Sequence, residues 1–286
     1  MPRTRRHPEF DPTLDYIYPE HLREYLDDLP QTPGVYIFHG LSDSLPLYIG
    51  KSINIRTRVM SHFRTLDEAR MLRQTQRITF IQTVGEIGAL LLEAQLIKEQ
   101  QPLFNQKLRR TRQMCSIRLQ DDKPEIVYSK DIDFAHTPNL YGLFASRHSA
   151  LEALKDLADE ANLCLGLLGI EKASANRPCF RHMLKRCAGA CCGVETVTEH
   201  HNRLTQQLEN QRIECWPYAG PIGLIEKNDT QTDIHVVHNW LYLGSARTIE
   251  QARELSTIAA AFDSDGYKIL CKPILTSSLP IVELWH

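Results

Sequence analysis

Long hydrophobic runs are missing from the sequence: no apolar stretch reaches the length of about 18 residues that a membrane-spanning helix requires. The segment from Met1 to Pro12 is basic and polar without an apolar core, so it is unlike a secretory signal. Internal repeats and low-complexity tracts are also missing. We therefore expect a globular protein with no membrane span. Its 286 residues, 42% of them hydrophobic, suffice for two or three compact units.

An excess of one charge is also missing. The net charge is −2, so no global field draws the chain towards nucleic acid. Basic residues are nevertheless concentrated between Lys51 and Arg77, where seven of them face only two acidic residues. Four more follow within the six positions from Lys107 to Arg112. Such stretches are either solvated basic faces or surfaces that follow a phosphate backbone.

Paired C-x2-C knuckles of the zinc-ribbon kind are absent, although the chain has eight cysteines. Without a secretory signal, these cysteines argue against a disulfide scaffold and for metal or iron–sulfur ligation in a reducing compartment such as the cytoplasm. Four of them form the pattern Cys164-x14-Cys179-x7-Cys187-x3-Cys191, with Cys192 as a rival for the last place. Any one of them is ordinarily a buried structural cysteine, but four at close range favour a metal site. Thiolate-only ligation suits zinc or an iron–sulfur cluster.

The segment from Pro33 to Phe63 organises the rest of the chain. Two runs rich in Val, Ile, Tyr and Phe are separated by turn residues, which predicts a hairpin with a long loop. Each run carries a tyrosine beside a glycine, so two phenols are expected close together. A helix should begin at Ser52 or Asn54, both good N-cap residues. On that helix Arg58 and His62 are four residues apart and share a face.

The triplets Gly34-Val35-Tyr36 and Tyr48-Ile49-Gly50, with Lys51 and Arg58 after them, resemble the signature of GIY-YIG nucleases. The resemblance implies a small antiparallel sheet flanked by helices. It extends to the helix from Glu86 to Lys98, which is similar to the helix that carries the metal-binding glutamate of these nucleases. Glu93 would then hold Mg²⁺ or Mn²⁺. Asn105 matches the asparagine that closes the same domain, and we expect it to support the site.

Cutting a phosphodiester requires a nucleophile made from water and neutralised charge on the phosphoryl oxygens. Arg58 would brace the scissile phosphate with its permanently charged, fork-shaped guanidinium group. Tyr48 would activate or orient the water, and Lys51 or the metal would supply the cation that a phenol needs for this. Tyr36 would hydrogen-bond within the same cluster. His62 is interpreted as a proton relay, a phosphate contact or an uninvolved surface histidine.

Residues 14–215 resemble the N-terminal half of UvrC, including the Ala188-Gly189-Ala190-Cys191-Cys192-Gly193 run. The resemblance implies a 4Fe–4S cluster on Cys164, Cys179, Cys187 and Cys191, with zinc as the alternative. It also implies damaged double-stranded DNA as the substrate, presented by UvrB after loading by UvrA, within the excision repair of the SOS response. A single active site implies one incision, and the resemblance implies that it lies on the 3′ side of the lesion. The predicted DNA-contacting residues are Arg56, Arg64, Lys107, Arg109, Arg110, Arg112, Arg177, Arg181, Lys185 and Arg186.

Two other functions are consistent with parts of the sequence. One is a GIY-YIG nuclease that acts alone on branched or sequence-defined DNA, which the cysteine cluster disfavours. The other is a non-catalytic iron–sulfur scaffold that binds DNA, which the set of tyrosine, arginine and glutamate residues disfavours.

The predicted fold class is α+β in three parts: a GIY-YIG domain over 14–110, a cysteine-cluster region over 111–215 and a small C-terminal α+β unit over 216–286. A capping box at Thr65–Glu68 predicts a helix that runs to about Gln74. In the C-terminal unit we expect a hairpin across Asn228 and Asp229, a helix over 248–262 and a strand over 267–275. His235 is interpreted there as a packing or surface residue, not as a ligand.

Overall fold

Three antiparallel sheets follow one another along the chain in the computed structural model. The structure describes residues 19–42, 45–105, 114–121, 123–172 and 177–285. The predicted DNA contacts Lys107, Arg109, Arg110 and Arg112 lie outside the described residues. Among the helices of the described ranges, none has the length and apolar character that crossing a membrane requires.

The first sheet contains the predicted hairpin. Its strands are β1 (Gly34–His39), β2 (Pro46–Ser52) and β3 (Arg77–Gln82), in the order β2-β1-β3. Within β1 the side chains alternate between two faces, so Val35 and Ile37 pack on one side and Tyr36 and Phe38 on the other. This alternation places both hairpin tyrosines on the face that carries the candidate site.

Helices cover both faces of this sheet. They are α1 (Arg23–Asp27), α2 (Ile55–His62), α3 (Ala69–Gln74) and α4 (Glu86–Gln100). Asn54 is the N-cap of α2, as predicted, and its side chain accepts a hydrogen bond from the Thr57 amide at 3.0 Å. Ile97 of α4 packs on Val35 and Ile37, whereas α2 packs on the tyrosine face.

The predicted capping box at Thr65–Glu68 is wrong. The Thr65 hydroxyl donates instead to the Ser61 carbonyl at 2.9 Å, and the Glu68 carboxylate contacts His62. A 3₁₀ turn over Leu66–Glu68 therefore precedes α3. Glu68, the glutamate of the expected box, contacts the buried His62 instead. The spacing of the sequence does not reveal this partner.

The middle region packs three strands against helices. The strands are β4 (Cys115–Gln120), β5 (Lys123–Tyr128) and β6 (Leu140–Phe144), in the order β5-β4-β6, and the helices are α5 (Arg147–Glu160), α6 (Phe180–Met183) and α7 (Val197–Leu208). One buried cluster joins Ile117 of the sheet to Leu154 of α5 and Leu204 of α7. Cys164, Cys179 and Cys187 lie in the loops around these helices, and Cys191 lies in a 3₁₀ turn over Ala190–Cys192.

The C-terminal unit has a four-stranded sheet with the order β10-β7-β8-β9. Its elements are β7 (Ile222–Lys227), β8 (Thr232–His238), β9 (Leu241–Ala246), α8 (Ile249–Leu255), α9 (Ser264–Leu275) and β10 (Ile281–Glu283). The predicted hairpin across Asn228 is confirmed by the pairing of β7 with β8.

The strand predicted over 267–275 is wrong, because this segment is the helix α9. Asp263 caps it by accepting a hydrogen bond from the Gly266 amide at 2.9 Å. Leu270 and Ile274, four residues apart, are the positions that the helix buries. The helix predicted over 248–262 is shorter than expected and ends at Leu255.

The C-terminal unit also packs directly against α4. Leu91 of that helix shares a buried cluster with Trp216, Leu224 and Trp240. Near the other end of α4, Lys98 forms ion pairs with Asp263 and Asp265, at 2.7 Å and 3.2 Å. Helix α4 therefore lies between the first sheet and the C-terminal unit.

Candidate active site and metal centre

The two tyrosines of the hairpin lie close together, as the sequence predicts. Their ring centroids are 6.2 Å apart. Tyr36 is paired with Gly50 across the strands, and Tyr48 with Phe38. A Cβ atom at position 50 would lie 2.4 Å from the Tyr36 hydroxyl oxygen. The glycine of the second triplet thus provides the space that the phenol of the first triplet occupies.

His62 lies beneath the tyrosines, with 1% of its side chain exposed. Its Nε2 is 2.7 Å from the Tyr36 hydroxyl, and its Nδ1 contacts the Glu68 carboxylate. Burial lowers the pKa of His62, although Glu68 opposes this, so the ring is neutral at neutral pH. A proton on Nδ1 is donated to Glu68, which leaves Nε2 to accept from Tyr36. The predicted roles as a surface residue or phosphate contact are wrong, because the ring is enclosed.

Helix α4 supplies two carboxylates to the same place. Glu93 Oε1 accepts a hydrogen bond from the Lys51 backbone amide at 3.0 Å. Glu86, two helical turns earlier, is paired with the Lys51 ammonium group at 2.9 Å. Burial raises the pKa of Glu93, and the Lys51 amide together with the charges of Lys51 and Arg58 opposes that rise. One backbone hydrogen bond uses one carboxylate oxygen, so the carboxylate can also hold a cation.

A surface cleft unites these groups. Its lining residues are Tyr36, Tyr48, Lys51, Ser52, Ile53, Arg58, Glu86 and Glu93. Burial raises the pKa of Tyr48, and the charge of Glu93 raises it further. Burial also raises the pKa of Tyr36, although the nearby Arg58 guanidinium opposes this. Both phenols therefore keep their protons at neutral pH unless additional positive charge arrives.

Asn105 lies behind the cleft and contacts the backbone of Ile49. Its Oδ1 accepts from the Ile49 amide at 2.9 Å, and its Nδ2 donates to the Ile49 carbonyl at 2.8 Å. Ile49 is the residue between Tyr48 and Gly50, so this amide holds the second triplet in place. The geometry is that of a supporting residue.

Two acidic residues of the site are absent from the sequence-based prediction. Glu68 contacts His62 from outside the hairpin, and the capping-box pattern around it gives no sign of this contact. Glu86 has a signal, because it lies seven positions before Glu93 and this spacing places both on one helix face.

The structure brings Cys164, Cys179, Cys187 and Cys191 together, with their sulfur atoms all within 4.8 Å of one another. The Cys179 amide donates to the Cys191 sulfur at 3.5 Å, and the Gly189 amide to the Cys187 sulfur at 3.4 Å. Burial raises the pKa of the Cys164 and Cys187 thiols. Their thiolates therefore need a cation, which a bound metal would provide.

The cysteine set fits a metal centre, because four converging thiolates suit either a zinc ion or an iron–sulfur cluster. Cys192 is outside the group, and its sulfur contacts the Gly189 carbonyl instead, at 3.4 Å.

The predicted DNA-contacting residues divide into exposed and internally paired side chains. Arg64 and the three basic residues near the cysteines are exposed: Arg177, Lys185 and Arg186. Arg181 differs from the prediction, because its guanidinium pairs with Asp159 at 2.6 Å and only 13% of its side chain is exposed. Arg56 is half-buried and lies 3.7 Å from Asp27. Arg181 therefore does not fit a DNA contact.

Three known domain families match the chain, one for each of the three sheets. The UvrC-like GIY-YIG domain family matches residues 32–106. The middle domain of the UvrC/Cho excinuclease family matches residues 114–210. The Excinuclease Cho C-terminal domain family matches residues 221–285. The cleft and these matches define an endonuclease of the UvrC-like GIY-YIG class.

Individual relatives narrow the family within this class. Excinuclease Cho of Escherichia coli K12 is 58% identical over 96% of this chain and 94% of that protein. The corresponding protein of Salmonella typhimurium is 57% identical over the same shares. UvrABC system protein C of Caulobacter vibrioides is 34% identical over 60% of this chain and 28% of its own length. The chain belongs to the excinuclease Cho family.

A solved structure also resembles part of the chain. It is the magnesium-bound GIY-YIG N-terminal endonuclease domain of UvrC from Thermotoga maritima. It is 32% identical, and the match covers 30% of this chain and 98% of that one, with a TM-score of 0.28.

Replacement of Glu93 by Gln is expected to abolish nicking while it stabilises the fold. Burial makes the charged form of Glu93 costly in the folded state, so above the unfolded pKa of about 4.3 the charge lowers stability. We expect the melting temperature at pH 7 to be higher for Glu93→Gln than for the wild-type protein. The gain should vanish as the pH falls through the raised folded pKa towards 4. Thermal unfolding of both proteins from pH 4 to 8 checks this, and a lower melting temperature at pH 7 would contradict it.

Replacement of Gly50 by Ala is expected to reduce nicking by about tenfold or more, because the added methyl group displaces the Tyr36 phenol. Gly40 in the same hairpin provides a matched control. A Cβ atom there would lie 3.4 Å from its nearest neighbour, an ordinary contact. Single-turnover nicking should therefore fall for Gly50→Ala and stay near wild type for Gly40→Ala. Equal rates for the two variants would show that this close approach has no role.

Proposed function

We propose that the protein makes one metal-dependent incision in damaged double-stranded DNA, on the 3′ side of a lesion held in a UvrB–DNA complex. The observation that supports this best is the cleft, where Glu93, Tyr48, Lys51 and Arg58 face the same space. A carboxylate for a hard cation, a phenol and a guanidinium group are what hydrolysis of a phosphodiester requires. Within the described residues we identify one such cleft, which supports one incision.

The proposed roles follow from the geometry. Glu93 would hold Mg²⁺ or Mn²⁺, which would supply positive charge for the phosphoryl oxygens when bound. Arg58 lies on the exposed side of α2 and would bind the scissile phosphate through its guanidinium donors. Lys51, held by Glu86, would add a second fixed positive charge at the same edge.

Tyr48 is proposed to orient the attacking water. The charge of Glu93 raises its pKa, so a cation on Glu93 would remove part of that effect and favour proton loss. Tyr36 donates to His62, and His62 to Glu68. This series of hydrogen bonds directs the Tyr36 hydroxyl hydrogen towards His62. The lone pairs of the Tyr36 hydroxyl oxygen therefore face the cleft. His62 therefore acts behind the site, as a proton relay or as a holder of Tyr36.

The DNA surface is proposed to extend from the cleft to the cysteine region. Arg64 flanks the first site, and Arg177, Lys185 and Arg186 are exposed next to the cysteines. Exposed guanidinium and ammonium groups contact phosphates without regard to sequence, which suits an enzyme directed by a lesion. The names of the relatives, excinuclease and UvrABC system protein C, make UvrB the proposed partner and UvrA its loader.

The decisive experiment is nicking of an end-labelled duplex that carries one bulky lesion, with Mg²⁺ and with or without UvrA and UvrB. We expect a single nick on the 3′ side that requires UvrB and is lost in Glu93→Gln. Nicking without UvrB would instead indicate a nuclease that acts alone. Binding without any nick from the wild-type protein would favour a non-catalytic scaffold.

We also propose that Cys164, Cys179, Cys187 and Cys191 hold a metal centre. The resemblance to UvrC implies a 4Fe–4S cluster, and one zinc ion is the alternative. Analysis of anaerobically purified wild-type protein distinguishes about four irons from one zinc per chain. In either case the centre would hold the loops of the middle region together beside the exposed basic residues.

Cys191 and Cys192 provide a matched pair for testing the ligand set. Cys191→Ser should lose the bound metal and destabilise the middle region, because one of four thiolates is removed. Cys192→Ser should retain it, since that sulfur is outside the group. Iron and zinc content of both variants checks the prediction. Loss of metal from Cys192→Ser alone would assign the fourth ligand to Cys192.

A further inference from the structure

Helix α4 begins with a cap that comes from a distant part of the chain. Glu226 of β7 accepts hydrogen bonds from the backbone amides of Ile87 and Gly88, at 3.0 Å and 2.9 Å. The first amides of a helix have no partners within the helix, so each helix needs acceptors at this end. The local N-cap residue is Gly85, which has no side chain to serve. A carboxylate in this position satisfies two amides and also meets the positive end of the helix dipole.

The start of the helix is shaped to receive this carboxylate. A Cβ atom at Gly85 would lie 2.2 Å from Glu226 Oε1, and one at Gly88 would lie 3.2 Å from Oε2. Glycine at these two positions therefore leaves the room that the Glu226 side chain occupies. The buried residue Glu226 is 7% exposed, so water does not replace its contacts.

His235 of β8 holds the carboxylate from the other side. Its Nε2 is 3.0 Å from Glu226 Oε2, and its Nδ1 is 2.7 Å from the Ser245 hydroxyl. Although burial alone raises the pKa of Glu226, the hydrogen bonds from His235 and from the two amides bring it below its usual value. The cap is therefore charged at neutral pH. His235, expected to be a packing or surface residue, orients the cap.

The capped turn is the one that enters the cleft. Glu86 is its first residue and holds the Lys51 ammonium group, and Glu93 lies two turns further along the same helix. The start of a helix frays when its acceptors are removed, because its first amides then bind water instead of a fixed partner. Fraying of this turn would release Lys51 and loosen the direction of the helix that carries Glu93.

We propose that Glu226 is a positioning residue of the nuclease, through which the C-terminal unit completes the active site of the N-terminal domain. The unit thus has a role in catalysis although it contributes no residue to the cleft. The activity part of this inference depends on the function proposed above, whereas the cap itself can be tested without it.

The test compares Glu226→Gln and Glu226→Ala with the control Asp265→Asn. The glutamine variant keeps the shape of the side chain and loses its charge, and so it remains informative where the alanine variant fails to fold. The control removes a charge from the same interface, where Asp265 pairs with Lys98 in the last turn of α4. Asp265→Asn leaves the first turn of α4 unchanged. If the loss of a charge at the interface were the whole cause, all three variants would therefore be affected alike.

Hydrogen exchange of the Ile87 and Gly88 amides measures the cap directly. We expect exchange about tenfold faster or more in both Glu226 variants and unchanged in Asp265→Asn. Single-turnover nicking at saturating DNA and Mg²⁺, well below each melting temperature, should fall about tenfold or more in the Glu226 variants with unaltered DNA affinity.

Nicking rates that match the Asp265→Asn control would overturn the positioning role and leave Glu226 as a structural cap. Unchanged amide exchange would overturn the cap as well. A wild-type protein that never nicks would contradict the proposed function, while the exchange result would still report on the cap. The two proposals therefore fail in distinguishable ways.

Discussion

Helix α4 belongs to two hydrophobic cores at once, and the rest of the structure depends on this double packing. Ile97 packs against the first sheet, whereas Leu91 packs with Trp216 and Trp240 of the C-terminal unit. A helix enclosed on two sides has little freedom to rotate or slide, because close-packed interiors resist small displacements. The same helix carries Glu86 and Glu93, and its rigidity is what sets their position against the hairpin.

The electrostatics of the cleft follow from this enclosure. Burial raises the pKa of Glu93 and of both tyrosines, so three groups that act as oxygen ligands or hydrogen-bond partners resist ionisation together. Arg58 and Lys51 offset only part of that cost. A divalent cation on Glu93 would favour its charged form and would add positive charge beside Arg58 and Lys51.

Sequence reasoning succeeded where the signal was local or matched a family motif. The hairpin with Tyr36 and Tyr48, the helix that carries Glu93 and the converging cysteines were all predictable. It failed where a distant partner decided the outcome: Glu226 lies 138 residues from the Gly88 amide that it caps. The segment 267–275 was misassigned for a related reason, since its β-branched and aromatic residues are typical of strands while its packing follows a helical period.

The contacts of Asn105 have a consequence for self-association. β2 is an edge strand, and edge strands offer unpaired amides and carbonyls to any other extended chain. Here the backbone amides of Leu103 and Phe104 donate to Pro46 and Leu47, and the Asn105 side chain takes both backbone groups of Ile49. A single amide side chain thus imitates one residue of a neighbouring strand. These backbone groups of the edge next to the cleft are already paired, so they are not available for the addition of another strand.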